Sequence, residues 1–228
     1  TVHSETVPLQ DRDVPKDAGL LQIWLNLPRE DKKKDPYFTM FWSERLPRQR
    51  FTDEEGRQTE LTVIAGSVAG AEPLEPPPSS WAAREESEVA VWTLTMEPGA
   101  RWALPPASAE ASRMLYFFDG ETCEIGGEAV EAGRVVRVRP EVECPIVNGA
   151  DSGELLVLQG RPIGEPVARH GPFVMNHRGE IRQAMIDYQR TQFGGWPWDS
   201  PAPVHPRDRG RFAIHADGRE ESPESDNT

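Results

Sequence analysis

Val89-Ala90-Val91-Trp92-Thr93-Leu94-Thr95-Met96 is the stretch on which the fold turns. Val89, Val91, Thr93 and Thr95 share one parity, and Ala90, Trp92, Leu94 and Met96 share the other. That period of two suits a strand, whose successive side chains project to opposite faces. Working outward, similar short runs occur at Leu61 to Ile64, Met114 to Phe118, Thr122 to Ile125, Val135 to Val138, Cys144 to Val147 and Leu155 to Gln159. The pairs Pro98-Gly99, Asp119-Gly120, Gly126-Gly127 and Asn148-Gly149 punctuate them with turn chemistry. Many short strands at this spacing predict an all-β sandwich or barrel.

Further from that stretch the texture changes. Leu20 to Leu27 is a β-rich apolar run stopped by Pro28 and is expected to be a buried strand. Residues 28 to 60 are charged, with Tyr37, Phe38, Met40, Phe41 and Trp42 as an apolar island, and look like an interdomain crossing. Downstream, Ile181, Ala184, Met185 and Tyr188 stand at i, i+3, i+4 and i+7, which predicts one amphipathic helix over Glu180 to Phe193. Asn176 is the expected N-cap, and Gly194-Gly195 ends the helix. Gly179 rather than an acid at the third helical position removes the reciprocal capping box. Residues 216 to 228 are polar and acidic and are expected to be disordered.

Bulk composition narrows the classes of function. The 228 residues carry 38 acidic and 25 basic side chains, a net charge of −13. The only basic run, Lys32 to Lys34, is bracketed by Asp31 and Asp35, so direct nucleic-acid binding is not expected. Apolar runs of about eight residues are too short to cross a bilayer. Two cysteines, Cys123 and Cys144, and no visible signal peptide fit a soluble cytoplasmic protein. The chain opens on Thr1 rather than Met, which suggests that sequence precedes it.

The barrel can be laid on the two motifs of the cupin superfamily. In G-x5-P-x-G-x2-H-x3-N, Gly133 and Asn148 hold the ends, but Cys144 stands at the histidine, and Arg139 and Glu141 at the Pro and middle Gly. In the first motif, between Gly99 and Gly120, the two histidine positions hold Pro105 and Ala107. One thiol with Pro and Ala cannot supply converging metal donors, so this barrel is expected to be a metal-free scaffold with Cys144 as a small buried hydrophobe. His3 and Glu5 have the i, i+2 spacing that places both side chains on one face of a strand. His170, His177, His205 and His215 lack a ligand partner at useful spacing, and Trp196 and Trp198 read as anchors over apolar surface.

Beyond these motifs, the chain resembles the pirin family of two-barrel cupins. The segment His170-Gly171-Pro172-Phe173-Val174-Met175-Asn176 with its following helix is similar to the family's closing signature. Leu20 to Pro28, Ile64-Ala65-Gly66 and Met96 to Ala100 resemble further family elements. The resemblance implies residues 1–50 as the end of a metal-binding first barrel plus a crossing, and 51–160 as a second cupin barrel of the RmlC-like jelly-roll type. It implies 161–215 as an extension bearing the single C-terminal α-helix. His3 and Glu5 match the later pair of a four-residue iron set whose His-x-His half is not in this sequence. Implied with them are Fe(II), Glu5 as catalytic base, an aromatic small-molecule substrate, and dioxygenase action on flavonols such as quercetin. The alternative role is non-catalytic, with iron-dependent binding to a regulatory protein or enzyme, and the intact protein is expected to be a monomer.

Overall fold

The computed structural model describes residues 3, 19–196, 198–200, 204–215 and 217–223. The chain divides into two compact units, Phe41–Gly164 and Thr1–Met40 with Glu165–Thr228. Residues 28–40 of the segment read as a crossing thus cluster with the C-terminal extension, and residues 41–60 belong to the barrel unit.

Phe41–Gly164 holds ten antiparallel strands. They are β1 (Arg48–Thr52), β2 (Gln58–Ala65), β3 (Ala90–Met96), β4 (Arg101–Leu104) and β5 (Ser112–Asp119), then β6 (Thr122–Ile125), β7 (Glu128–Glu131), β8 (Arg134–Val138), β9 (Cys144–Asn148) and β10 (Gly153–Gly160). Six form a sheet in the order β1-β2-β3-β10-β5-β8, and four form a second in the order β4-β9-β6-β7. All seven expected strands of this region are present. β1 corrects the reading of residues 28 to 60 as crossing, because it pairs with β2 from Arg48↔Thr62 to Thr52↔Gln58. Its sequence, Arg48-Gln49-Arg50-Phe51-Thr52, is polar because it is a half-exposed edge strand, so no apolar alternation marks it. β4 and β7 are four-residue strands that bury one residue each, Leu104 and Val130, and so show no apolar alternation.

One core lies between the sheets. Leu61, Val63, Trp92, Leu94, Met96, Leu115, Phe117, Leu155 and Val157 reach it from the larger sheet, and Leu104, Cys123, Ile125, Val130, Cys144 and Ile146 from the smaller. Ala90, Trp92, Leu94 and Met96 are all buried, so the parity read from the sequence is the core face. Each such large side chain contributes about 1.5–3 kcal/mol by leaving water. The Trp92 indole donates to the Gly66 carbonyl at 2.7 Å, which ties the end of β2 to the core. Gly66 has φ +73, and a Cβ there would lie 2.4 Å from the Val89 carbonyl oxygen and 2.9 Å from Ala90 Cα. Both backbone strain and a backbone wall oppose a side chain, so Gly66→Ala should cost about 2–4 kcal/mol, read as a lowered denaturation midpoint.

The other unit contains the β11 (Ala168–His170) and β12 (Phe173–Met175) hairpin, helix α1 (Arg178–Thr191), and the β13 (Ala213–Ile214) and β14 (Glu220–Glu221) hairpin. Ile181 and Ala184 are buried with Met175, and Phe173 and Met185 pack on them, as the i, i+3, i+4 stripe predicts. The helix start differs from expectation. The N-cap is His177, and the Asn176 side chain instead donates to Glu165 Oε2 at 2.8 Å. Because the helix begins at Arg178, Glu180 rather than Gly179 is the third residue, and its carboxylate accepts the amides of His177 at 2.9 Å and Asn176 at 3.1 Å. The carboxylate half of a capping box is therefore present.

Burial acts to raise the Glu180 carboxyl, but the His177 and Asn176 amides and Arg29 at 2.9 Å outweigh it and leave it below its ordinary range. A depressed carboxyl stabilises the fold above its unfolded value, near pH 4.3, and the contribution is lost as pH falls through the lower folded value. We expect Glu180→Gln to speed amide exchange in the first turn of α1 at pH 7, and the same amides to lose protection in the parent protein only on acidification below pH 4.

Two further expectations are corrected in this unit. Leu20 to Leu27 is not a strand, because no strand among the described residues pairs with it. Leu20 and Trp24 are 74% and 70% exposed, and Leu21, Ile23 and Leu25 are exposed as well. Of the tail expected to be disordered, residues 217–223 are described and carry β14, whose pairing with β13 is supported by the Arg219–Glu221 and Arg209–Glu220 ion pairs. Residues 216 and 224–228 lie outside the described set. No helix among the described residues is long and apolar enough to cross a membrane.

Candidate functional site

Two of the vacant ligand positions, Pro105 and Cys144, lie at one end of the barrel, to which Arg113 also reaches. Leu104, the last residue of β4, is in register with Cys144, the first of β9, so Pro105 follows directly beside the thiol. At the other end of β9, Asn148 is buried, and its amide nitrogen donates to the carbonyls of Met96 at 3.0 Å, Glu97 at 3.0 Å and Asp151 at 2.8 Å. Asn148 thus clamps the β3 and β9 ends together, a structural use of the motif's terminal Asn.

The group that occupies this end is Arg113 of β5. Its parity is that of Leu115 and Phe117, so it points into the barrel, where it is 1% exposed. Nη1 donates to the Pro105 carbonyl at 2.7 Å, and Nε and Nη2 donate to Gln159 Oε1 at 2.8 and 2.5 Å. Gln159 is the cross-strand neighbour of Arg113 on β10 and passes the network on through its amide nitrogen to the Glu88 carbonyl at 3.0 Å. The Glu88 carboxylate in turn accepts from Ser108 Oγ at 2.7 Å and faces Arg161 at 3.5 Å. Burial draws the guanidinium below its usual range, while the neighbouring Cys144 acts the other way.

This arrangement does not fit a metal. Pro105 and Ala107 offer no side-chain donor, and a guanidinium lies where a cation would have to sit. Burial raises the Cys144 thiol, against the opposing pull of Arg113 and the Gly126 amide, so it is held in the protonated, non-ligating form. Cys123 is pushed up to about 11 by burial. Neither thiol is an activated nucleophile, and the arginine network positions groups by hydrogen bonding. Arg113 and Gln159 were not singled out from the sequence, although a signal existed. An arginine two residues before Leu115 and four before Phe117 holds an inward parity in a strand.

The other expected site residues are scattered. His3 is exposed, and Glu5 lies outside the described residues, so their mutual geometry is not defined. His170 and His177 are exposed, His205 meets Phe212 edge-on at 4.7 Å, and His215 packs against Phe38 at 5.0 Å beside Arg219 and Glu221. Trp196 and Trp198 contact each other edge-on at 4.8 Å. Among the described residues, no group of three or more His, Cys, Asp or Glu side chains gathers as a metal site.

Two facing antiparallel sheets closed on one core, with the motif Gly133 and Asn148 at the ends of its elements, make this unit a cupin barrel, here with arginine in place of metal ligands. Residues 91–194 match the model of the pirin C-terminal cupin domain. A Pseudomonas aeruginosa protein with the provisional name quercetin 2,3-dioxygenase is 31% identical over 195 residues, 84% of this chain and 63% of that protein. Pirin-1 of Arabidopsis thaliana is 30% identical over 178 residues, 76% of this chain and 58% of that protein. The crystal structure of quercetin 2,3-dioxygenase from Acinetobacter baumannii aligns with a TM-score of 0.63 and 28% identity over 75% of this chain and 56% of that one. The chain carries the C-terminal cupin domain of the pirin family. Its match spans 63% or less of the length of these relatives.

Proposed function

We propose that the whole protein is a pirin-like dioxygenase acting on flavonols such as quercetin, with Fe(II) in a first barrel to which His3 and Glu5 contribute. The observation that carries this reading is the similarity to the Acinetobacter baumannii quercetin 2,3-dioxygenase across three quarters of the chain. Bound iron supplies Lewis-acid and one-electron chemistry toward an enol substrate and dioxygen. His3 offers an imidazole lone pair, and Glu5 offers a carboxylate that can both ligate and take the proton of the flavonol hydroxyl. The second barrel acts as a scaffold, since Arg113 and a packed apolar core fill it.

A second reading is an iron-dependent regulatory binding protein without turnover. Oxygen uptake by the whole, iron-loaded protein with a panel of flavonols separates the two. Uptake coupled to flavonol loss is expected, and iron-replete protein that consumes no oxygen with any flavonol would leave the binding role.

A further inference from the structure

Of the asparagines in the chain, Asn26, Asn148, Asn176 and Asn227, only Asn148 is followed by glycine. An Asn-Gly pair is open to an internal reaction, because glycine has no side chain to shield the peptide nitrogen after the asparagine. That nitrogen attacks Cγ and a new C–N bond closes a succinimide ring. The Cγ–Nδ2 bond breaks, and the side-chain nitrogen leaves as ammonia with the peptide proton. Water then opens the ring at either carbonyl. One opening leaves aspartate, and the other leaves isoaspartate, in which the backbone runs through the side chain. Water is the only co-reactant.

The fold holds Asn148 away from this reaction. Asn148 ends β9, so it must turn about its Cα–C bond and swing its side chain before Cγ meets the Gly149 nitrogen. Both motions are resisted. Nδ2 donates to the carbonyls of Met96, Glu97 and Asp151, the Asn148 amide donates to the Ala100 carbonyl at 2.9 Å, and the Gly149 carbonyl accepts the Gly99 amide at 2.7 Å. Close backbone adds to this, since a Cβ on Gly153 would collide with Asn148 Oδ1 and a Cβ on Gly149 with the Thr122 carbonyl. The ring can therefore close only after this end of β9 has opened. The product cannot take the old place. An ionised aspartate has no hydrogen to donate, so it would set a charge against the three carbonyls that the amide now serves, at a position that is 4% exposed. We propose that Asn148-Gly149 is a site of spontaneous deamidation gated by the fold, and that its reaction turns an opened barrel into one that does not close again.

Incubation at mildly alkaline pH with a thiol reductant, across a urea series, tests both parts. Peptide mapping by mass follows Asn148, with the other three asparagines as references. In the unfolded chain Asn148 should convert fastest of the four. Without urea its conversion should be at least about 100-fold slower, and through the series it should rise with the unfolded fraction. Urea is then removed from a half-converted sample, and refolded and unfolded chains are separated by size. The refolded pool should keep asparagine at 148, and the unfolded pool should hold the aspartate and isoaspartate forms. Asn148→Asp made directly should unfold at a lower urea concentration than Asn148→Ala, which loses the same donors without adding a charge. Equal conversion with and without urea overturns the gating. A refolded pool as rich in converted chains as the unfolded one, or an Asn148→Asp variant as stable as the parent, overturns the trap.

Discussion

Arg113→Ala is expected to remove about 3–5 kcal/mol from the stability of the barrel, enough to consume a large part of the margin of an ordinary domain. The change leaves a cavity at a position that is 1% exposed, and it strands the Pro105 carbonyl and the Gln159 side-chain oxygen without their donors. Gln159 is also the link to Glu88, so the loss should spread to the Ser108 contact. Arg113→Met separates the causes. It refills most of the volume and removes a cation that is costly to bury, and it should lose about 1–3 kcal/mol, from the unpaired acceptors alone. Arg113→Lys keeps the charge but cannot reproduce the planar fork that reaches two acceptors, and it should fall between the two. Chemical denaturation of the three variants measures this. An Arg113→Ala midpoint equal to that of the parent would mean the guanidinium does not hold this end of the barrel.

How far the sequence could carry the fold depended on where burial imposed a period. The strands that line the core on one face, such as β3 with Trp92 and Leu94, were legible because alternate residues had to be apolar. β1 was not, because an edge strand with one face in water needs only its backbone pairing, and that leaves no mark on side-chain identity. Leu20 to Leu27 shows the converse. Its composition satisfies a strand, but a strand exists only with a partner, and no described strand provides one. The helix stripe was legible and its cap was not, since a shift of one residue in the cap, from Asn176 to His177, makes Glu180 rather than Gly179 the residue that faces the free amides. At the barrel end the loss of metal ligands was readable from Pro105, Ala107 and Cys144. What filled the space required the pairing of β5 with β10, which brings Gln159 to Arg113.

The iron site proposed for the first barrel leads to the other large effect. Fe(II) lies near the weak end of the divalent series, so it is retained only by a nearly complete, preorganised ligand set. His3 and Glu5 bring two of the four donors that the family resemblance implies. The 228-residue chain alone should therefore purify without stoichiometric iron and show no flavonol-dependent oxygen uptake. The whole protein should bind about one iron per chain through these two residues and an upstream His-x-His pair, as the family resemblance implies. In that whole protein, His3→Ala and Glu5→Ala together should remove most of the iron and abolish turnover. Glu5→Gln should be more telling than either alanine change. It keeps a coordinating oxygen but cannot accept the proton of the flavonol hydroxyl, so turnover should fall by roughly 100-fold or more while much of the iron stays. In every variant the near-ultraviolet signal of the second barrel should be unchanged, because Trp92 and its core neighbours are held within Phe41–Gly164. Metal analysis and circular dichroism on the same samples separate loss of iron from loss of fold. Undiminished iron in the double alanine variant would remove His3 and Glu5 from the ligand set.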